Sequence, residues 1–304
     1  MNYERFKLIL KLARLRFLIP GILIYSLGGL IAIIDGARAD PFRFLFGYTI
    51  FGAAHLSVSF SNDYFDREAD KMAIQTQFSG GSGVLVRHPE LSGFALRFAI
   101  FLICLSIVIA VLFEIVYSYG PLFLILVAFG SLMGWFYTAP PLKLAYRGAG
   151  EVSSVIATGL IMPVMGYYVM AGRIDASILA LSFPLMCYAL FFILSVELPD
   201  IEADRLGGKR NLFTFKGRMA GIVTAIIATL SATVLFVVLA LMGTLRPVEM
   251  WLFVLLSMIP LAAALHGMII PSEDRRPVEL QVKLNLVALM LILVAVDIYL
   301  GTLA

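Results

Sequence analysis

Charged residues are scarce in this chain of 304 residues. Only 14% are Asp, Glu, Lys or Arg, against roughly 25% in a soluble domain, while 61% are hydrophobic and the mean hydropathy is +0.96. With two cysteines and three histidines, a disulfide framework or a zinc site is not expected. The net charge of +3 gives little support for a nucleic-acid partner. This composition excludes an ordinary soluble domain and predicts a polytopic membrane protein.

Apolar runs long enough to cross a bilayer recur along the whole sequence. A window of about 20 residues finds about nine of them. They lie near residues 15–35, 42–61, 93–116, 120–138, 150–171, 177–198, 218–243, 248–271 and 281–302. The first run lacks the short apolar core and the small-residue cleavage site of a signal peptide, so we expect it to remain as a helix. The sequence thus predicts one all-α membrane domain over residues 1–304.

The basic residues are distributed unevenly between the two sides of this bundle. Most of the 23 fall on the side of the N-terminus, whereas Arg38, Arg43, Arg173 and Arg246 fall on the other. Because Lys and Arg concentrate on the untranslocated side, we expect a cell-membrane protein with a cytoplasmic N-terminus and an external C-terminus. The longer connections, which carry the polar motifs, would then face the cytoplasm.

Two acidic segments, residues 62–70 and 197–204, follow the second and the sixth apolar runs. Each repeats an acid at i, i+3 and i+7, offsets that share one face of a helix. These acids are Asp63, Asp66 and Asp70 in the first segment and Glu197, Asp200 and Asp204 in the second. The match indicates a weak internal duplication and pairs the two segments in function.

Facing carboxylates at a membrane surface would repel each other unless cations lay between them. Mg²⁺ prefers hard oxygen ligands and is usually held by one or two carboxylates together with phosphate oxygens of a substrate. Asn62, Asp66 and Asp70 recur every four residues, which places an amide oxygen and two carboxylates near one ion. The segments therefore suggest a metal-bridged diphosphate. For the first segment alone, a solvated helix end whose acids pair with Arg67 and Lys71 is the alternative.

Several residues on the same side could bind the diphosphate. They would neutralise the negative charge that the metals leave uncompensated, which a departing diphosphate requires. These candidates are Tyr137, Lys143 and Arg147 in the third inner connection, Arg16 at the first run and Lys209 beside the second acidic segment. Paired prolines at 140 and 141 stop the helix before Lys143 and fix a turn. Each candidate also has a plainer explanation, as a positive-inside residue, a snorkelling anchor or an interfacial aromatic residue.

These residues resemble the motifs of the UbiA superfamily of intramembrane prenyltransferases. Asn62-Asp-Tyr-Phe-Asp66-Arg-Glu-Ala-Asp70 is similar to its NDxxDxxxD signature, and Asp200-Ile-Glu-Ala-Asp204 is similar to its DxxxD partner. Residues 137–147 resemble its Tyr-x-Ala-Pro-Pro-Leu-Lys segment. The resemblance covers essentially the whole chain. It implies nine helices around a central cavity that holds the diphosphate of an isoprenyl donor on two Mg²⁺ ions.

The resemblance also implies roles for single residues. Asn62, Asp66 and Asp70 would bind one metal, Asp200 and Asp204 the other with Asp63 close by, and Lys143, Arg147 and Tyr137 would hold diphosphate. Departure of the diphosphate would leave an allylic carbocation-like fragment buried away from water. The carbon or hydroxyl of an aromatic or lipid acceptor would then attack, with membrane lipid surrounding the protein.

Within the superfamily, the loop Gln77–Val86 and the run Asp200–Leu212 look most like the 1,4-dihydroxy-2-naphthoate prenyltransferases. Relatives that prenylate 4-hydroxybenzoate or glyceryl lipids typically carry an Asn-x-x-Arg-Pro-type stretch after the first motif. The naphthoate enzymes usually carry asparagine near the position of Glu197, where this chain departs from them.

Two other functions also fit parts of the sequence. A CDP-alcohol phosphotransferase also uses membrane-embedded aspartates, and Asp35–Arg38 resembles the opening of its motif, but Asp66 and Asp70 follow only after another full span. A transporter of divalent cations or small molecules would place acidic ligands near the middle of the bilayer. The acidic segments here lie at one interface beside basic loops, which favours the prenyltransferase.

Overall fold

The computed structural model describes residues 3–73, 81–270 and 275–304, and helices account for most of them. Residues 77–80, part of the loop compared with the naphthoate enzymes, lie outside these ranges. The long helices are α1 (Tyr3–Ala13), α2 (Leu18–Ile34), α3 (Pro41–Phe65), α4 (Ser92–Tyr117), α5 (Pro121–Trp135), α6 (Gly150–Ala171), α7 (Ala176–Glu197), α8 (Arg218–Met242), α9 (Met250–His266) and α10 (Arg275–Gly301).

The predicted all-α membrane architecture is confirmed. Within the described residues, eight helical stretches are long and apolar enough to cross a membrane. The first of them, Tyr3–Ile34, contains both α1 and α2. The remaining predicted span, 120–138, corresponds to α5, which has 15 residues and ends at Trp135 instead of 138. The protein is therefore an integral membrane protein built from a bundle of nine apolar helices in its described part.

A break at Arg14 separates α1 from the first membrane helix. Arg14 has a left-handed backbone (φ 45°), and a short turn follows before α2 begins at Leu18. The C-terminal end of α1 is buried, with Leu12 fully covered and packed in a small core with Phe60 of α3 and Ala95 of α4. This contact fixes α1 beside the end of α3 that carries the first acidic segment.

Two glycines let α2 approach α6 closely. A Cβ atom on Gly28 would lie 1.9 Å from the carbonyl oxygen of Pro163, and one on Gly166 would lie 1.9 Å from that of Tyr25. Any larger residue would force the two backbones apart, as at other close helix crossings in membranes. The contact holds α2 against the centre of the bundle, and its neighbouring face packs on α10.

The middle of α6 is a π-helical stretch, Val155–Ile161. Pro163 lacks an N–H, so it cannot donate the usual helical hydrogen bond to the carbonyl of Gly159. The wider turn absorbs that loss and is common beside functional sites. Three of its residues, Ala157, Thr158 and Ile161, line the central cavity.

Candidate active site

A cavity of about 510 Å³ lies between the helices, within the range of roughly 300–1,000 Å³ that is usual for small-molecule sites. Both acidic segments contribute to its polar end. Further into the bundle its wall is mostly apolar, with side chains from α5, α6 and α10 that include Val127, Ile161 and Leu293. The cavity therefore suits a molecule with a charged head and an apolar tail.

The first acidic segment forms where α3 ends. Asp66 closes α3, and a short helix, Arg67–Asp70, follows it directly. Asn62, Asp66 and Asp70 all line the cavity. Asp66 and Asp70 are buried, and the Asn62 amide oxygen accepts a hydrogen bond from the Thr138 hydroxyl at 2.8 Å.

The second acidic segment follows α7. A turn over Leu198–Asp200 leads into the helix Ile201–Leu206, and Asp200 and Asp204 line the cavity. The two segments touch where Gly207 meets Ala69, since a Cβ atom on Gly207 would lie 2.6 Å from the Ala69 Cβ. The absence of a side chain at position 207 is what allows the two groups of acids to face one cavity.

Lys209 links the two segments. Its Nζ lies 2.9 Å from Asp66 Oδ2 and 3.5 Å from Asp204 Oδ1. Burial disfavours its charged form, but the attraction of Asp66 and Asp204 outweighs burial and raises the pKa of Lys209 above its usual value. The lysine is therefore a fixed cation between the carboxylates.

Polar residues behind the acids hold them in place. The Tyr146 hydroxyl donates a hydrogen bond to Asp66 Oδ1 at 2.8 Å, and the Asn211 amide donates one to Asp204 Oδ2 at 2.8 Å. The backbone N–H of Arg210 donates to the carbonyl of Ala145 at 3.0 Å, which ties the connection after α5 to the second acidic segment. Sequence reasoning missed Tyr146, Asn211 and Thr138, although each lies in or beside a motif it had singled out.

The first segment carries more negative charge than its surroundings neutralise. Burial and the neighbouring carboxylates Asp63 and Asp66 raise the pKa of Asp70 to about 7, although Lys209 and Arg14 act in the opposite direction. A cation bound beside Asp70 would remove this imbalance.

The donor set fits Mg²⁺ shared with a phosphate ligand. Asn62, Asp66 and Asp70 line the same cavity as Asp200 and Asp204, and the side-chain oxygen atoms of all five are hard ligands. No three carboxylate, histidine or cysteine side chains converge to enclose a cation by themselves within residues 3–73, 81–270 and 275–304. Mg²⁺ usually keeps waters and takes one or two carboxylates plus substrate phosphates, so partial coordination by the protein is what a diphosphate site requires.

The other predicted site residues are divided between the cavity and the surface. Tyr137 lines the cavity, and Arg16 lies at its rim. Asp63 is buried behind the wall, where the Arg14 guanidinium and the Ser82 hydroxyl bind its carboxylate and the Ser82 N–H lies 3.2 Å from each carboxylate oxygen. Asp63 therefore positions the segment and Arg14 instead of facing the cavity.

Lys143 and Arg147 lie outside the cavity wall and are exposed. The Lys143 ammonium lies 5.5 Å from the centre of the Tyr146 ring, and Arg147 Nη2 donates to the carbonyl of Pro141 at 2.9 Å. The turn after the two prolines therefore leaves both side chains at the surface. Their role in binding diphosphate stays a prediction.

A second cavity of about 430 Å³ adjoins the first and is strongly basic. Its charged residues are Lys11, Arg14, Arg16 and Arg87. Arg14 and Arg16 line both cavities, so the basic space lies next to the site of the acidic segments. Sequence reasoning missed Lys11, Arg14 and Arg87, because basic residues on this side were already expected from membrane topology.

Comparison with known proteins gives consistent matches. Residues 22–292 match the family model of the UbiA prenyltransferase family. A 1,4-dihydroxy-2-naphthoate octaprenyltransferase of Bacillus subtilis is 28% identical over 207 residues, which cover 67% of this chain and 64% of that protein. The chain thus aligns with less than two thirds of the length of this curated relative.

Solved structures share the fold. A UbiA homolog from Archaeoglobus fulgidus bound to GPP and Mg²⁺ has a TM-score of 0.64 and 17% identity, covering 92% of this chain and 99% of that chain. The apo structure of a UbiA homolog from Aeropyrum pernix K1 has a TM-score of 0.65 and 16% identity, covering 91% and 97%. At these identities the similarity shows the fold alone.

Proposed function

The chain belongs to the UbiA prenyltransferase family, and we propose that it is a Mg²⁺-dependent intramembrane prenyltransferase that moves an isoprenyl group from an isoprenyl diphosphate to an aromatic acceptor. The observation that carries the proposal is the pair of acidic segments at the polar end of a cavity whose remaining wall is mostly apolar. The complexes of the Archaeoglobus fulgidus homolog with GPP or DMAPP and Mg²⁺ support this kind of donor and metal.

The acidic segments would hold the diphosphate head through two Mg²⁺ ions. Asn62, Asp66 and Asp70 would serve one ion, and Asp200 and Asp204 the other. When bound, Mg²⁺ neutralises the diphosphate and so makes it a better leaving group. Lys209 lies between the segments and would donate hydrogen bonds from its ammonium group to phosphate oxygens as they gain charge.

The apolar wall would protect the reacting carbon. The donor C–O bond breaks, the diphosphate leaves with the electron pair, and the allylic fragment is electrophilic. Water at this point would give an alcohol instead of the prenylated product, so a hydrocarbon surface such as that of Val127, Ile161 and Leu293 favours transfer. An acceptor ring carbon then supplies the electron pair of the new C–C bond and loses its proton, or its carboxyl group as CO2, so that the bonding pair returns to the ring.

The positive charge of the basic cavity favours an anionic acceptor. Four cationic side chains line it, and two of them, Arg14 and Arg16, also reach the site of the acidic segments. A carboxylate on an aromatic ring would be held there with the ring directed toward the donor. The named activity of the Bacillus subtilis relative makes 1,4-dihydroxy-2-naphthoate the first candidate. A glyceryl phosphate lipid is also an anion and is the second candidate.

The membrane orientation follows from the same arrangement. We place the acidic segments and the basic cavity on the cytoplasmic side of the cell membrane, because most Lys and Arg residues lie at this end of the bundle.

The test is Mg²⁺-dependent release of diphosphate by the purified protein from geranylgeranyl diphosphate. 1,4-Dihydroxy-2-naphthoate, 4-hydroxybenzoate and geranylgeranylglyceryl phosphate are offered separately. Release with the naphthoate is expected. Metal-dependent donor binding without release would redirect the acceptor assignment, and absence of donor binding would favour a transporter.

Matched variants distinguish acids that line the cavity from an acid at the surface. Asp66→Asn and Asp200→Asn should abolish turnover and weaken Mg²⁺-dependent donor binding while the protein stays folded. Glu202→Gln is the control, because Glu202 lies in the second segment but its side chain is 80% exposed and pairs with Arg205 at the surface, 3.6 Å away. Unchanged donor binding by both aspartate variants would refute the metal-bridged site.

A further inference from the structure

Polar side chains of α3 line the cavity well beyond the acidic segments. His55, Ser59, Asn62 and Asp66 all line it at i, i+4, i+7 and i+11, offsets that share one face of a helix. His55 therefore lies about 16 Å along α3 from Asp66, in the part of the cavity whose wall is mostly apolar. The metal site uses Asn62 and Asp66 and leaves His55 without a function.

The His55 imidazole has no hydrogen bond to any residue that the structure describes. The ring packs on α2, where a Cβ atom on Gly21 would lie 3.1 Å from the imidazole Nδ1. A neutral imidazole carries one donor and one acceptor, and leaving both unpaired inside a membrane bundle costs free energy. A polar group of a molecule bound in the cavity would remove this cost.

Helices α3 and α5 pack side by side in parallel. A Cβ atom on Gly134 would lie 2.6 Å from Val58 Cγ2, and the Thr138 hydroxyl donates a hydrogen bond to the Asn62 amide oxygen. The residues of both pairs are 76 positions apart, so the two helices keep one register up to the end of α5. The same register brings the residue 76 positions after His55 to the level of the imidazole.

Ser131 is that residue, and it too lacks a partner. It lines the cavity and is 7% exposed, and its buried hydroxyl oxygen has no hydrogen-bond partner among the described residues. Ser106 and Thr158 also line the cavity, but their hydroxyls donate to helix carbonyls. An imidazole and a hydroxyl are thus left unsatisfied at one level of the cavity, where buried polar groups are normally hydrogen-bonded.

The position of His55 relative to Arg16 suits an aromatic acceptor. α2 and α3 run in opposite directions, since Gly21 lies against His55 and Gly29 lies against Phe44. Arg16 precedes Gly21 by five residues, roughly 8 Å of helical turns, and so lies toward the acidic end of the cavity. A ring whose carboxylate binds Arg16 can therefore reach His55 with a hydroxyl group on its other side.

We propose that His55 and Ser131 form a subsite for the hydroxyl group of an aromatic acceptor. Because the subsite requires such an acceptor in the cavity, it rests on the proposed function. The acceptor hydroxyl pairs with the imidazole as donor or as acceptor, and Ser131 supplies the complementary hydrogen bond. Arg16 and the subsite hold the ring at two points and so orient its reacting carbon toward the donor.

The test compares an acceptor with the same molecule lacking one hydroxyl group. The pairs are 1,4-dihydroxy-2-naphthoate with 1-hydroxy-2-naphthoate, and 4-hydroxybenzoate with benzoate. Dissociation constants are measured by calorimetry with Mg²⁺ and inorganic diphosphate, which fill the acidic end without allowing transfer. In the pair that contains its own acceptor, the wild type should prefer the hydroxylated member by about tenfold, the factor expected for a buried hydrogen bond.

Substitutions in the subsite should change this preference. His55→Phe keeps a ring but removes both nitrogens and should abolish the preference, whereas Ser131→Ala should reduce it in part. His55→Gln keeps one donor and one acceptor and should retain most of it. A general loss of structure would weaken the binding of both members of a pair equally, so the ratio of their dissociation constants reports the hydroxyl contact.

Ser106→Ala is the matched control for Ser131→Ala. Ser106 also lines the cavity, but its hydroxyl donates to the carbonyl of Ile50 at 2.8 Å. Its ratio should equal that of the wild type. Because the Ser131 hydroxyl bonds no described residue, Ser131→Ala should keep the unfolding temperature of the wild type, and it decides the question if the His55 variants fail to fold.

An unchanged ratio in His55→Phe and Ser131→Ala, with transfer to an aromatic acceptor by the wild type, would overturn the subsite and leave the proposed function standing. Absence of Mg²⁺-dependent transfer to every aromatic acceptor by the wild type would instead overturn the proposed function, and the subsite with it.

Discussion

Replacing Lys209 by methionine tests the charge balance of the site most directly. The ammonium is 2.9 Å from Asp66 and 3.5 Å from Asp204, and its side chain is only 19% exposed. Methionine keeps most of the length but leaves the two carboxylates facing each other without a cation. Breaking a fully buried pair costs roughly 3–5 kcal/mol, and the residual exposure reduces this to about 2–4 kcal/mol.

Mg²⁺ should restore what the substitution removes. In the wild type the lysine competes with metal for the same oxygens, whereas in Lys209→Met the metal alone can neutralise them. Thermal unfolding of the purified protein should therefore occur several degrees lower in the metal-free variant than in the wild type. Added Mg²⁺ should stabilise the variant more than the wild type.

Turnover should fall despite the restored stability. Losing one group that stabilises the departing charge costs about 10²–10³ in kcat. Arg210→Met is the matched control, because Arg210 is exposed and its contact to Ala145 uses only the backbone. Equal unfolding temperatures for wild type and Lys209→Met, with the same response to Mg²⁺, would show that the lysine does not neutralise these carboxylates.

Three further predictions follow from single contacts in the site. The pKa of Asp70 is raised to about 7 in the folded state and is about 4 in an unfolded chain. The metal-free protein should therefore lose stability as pH rises from about 4 to about 7. Denaturation in EDTA should show this loss in the wild type and a smaller loss in Asp70→Asn. Tyr146→Phe removes the hydrogen bond to Asp66 and should raise the Mg²⁺ concentration needed for half-maximal turnover by about tenfold, with an unchanged requirement counting against the role of that bond. Gly207→Ala should push the acidic segments apart and lower kcat, because the new methyl group would lie 2.6 Å from Ala69 Cβ. Adding Ala69→Gly removes this contact and should recover much of the activity. No recovery in the double variant would show that the contact with Ala69 is not the cause of the defect.

The membrane helices are visible in the sequence because each is an apolar run of its own. The break at Arg14 is not, since a left-handed residue there accompanies the binding of Asp63, which is 49 positions away. The shorter α5 is likewise hidden, because Phe136 and Tyr137 continue the apolar pattern after the helix has ended at Trp135. Local pattern predicts which residues enter the membrane, but long-range contacts decide where a helix stops.

The acids of the site repeat at helical spacing and so were accessible to sequence reasoning. The sequence did not distinguish basic residues of the site from basic residues of the surface, because Lys143 and Lys209 both lie beside motifs in inner connections. Only the path of each turn shows that Lys209 enters the cavity wall whereas Lys143 remains exposed. Tyr146 and Asn211 have no periodic signal at all, and their function depends on hydrogen bonds to acids far along the chain.

The short helix α5 makes bilayer thickness relevant to this chemistry. Its 15 residues rise about 22 Å, whereas the hydrocarbon layer of a typical membrane is about 30 Å thick. Beside α5 the bilayer must thin, or the connection that follows, with Tyr137 and Thr138, must lie beneath the level of the headgroups. Lipids with longer acyl chains increase this mismatch at the wall next to Asn62. The thickness of the host membrane can thereby change the position of the polar residues beside Asn62.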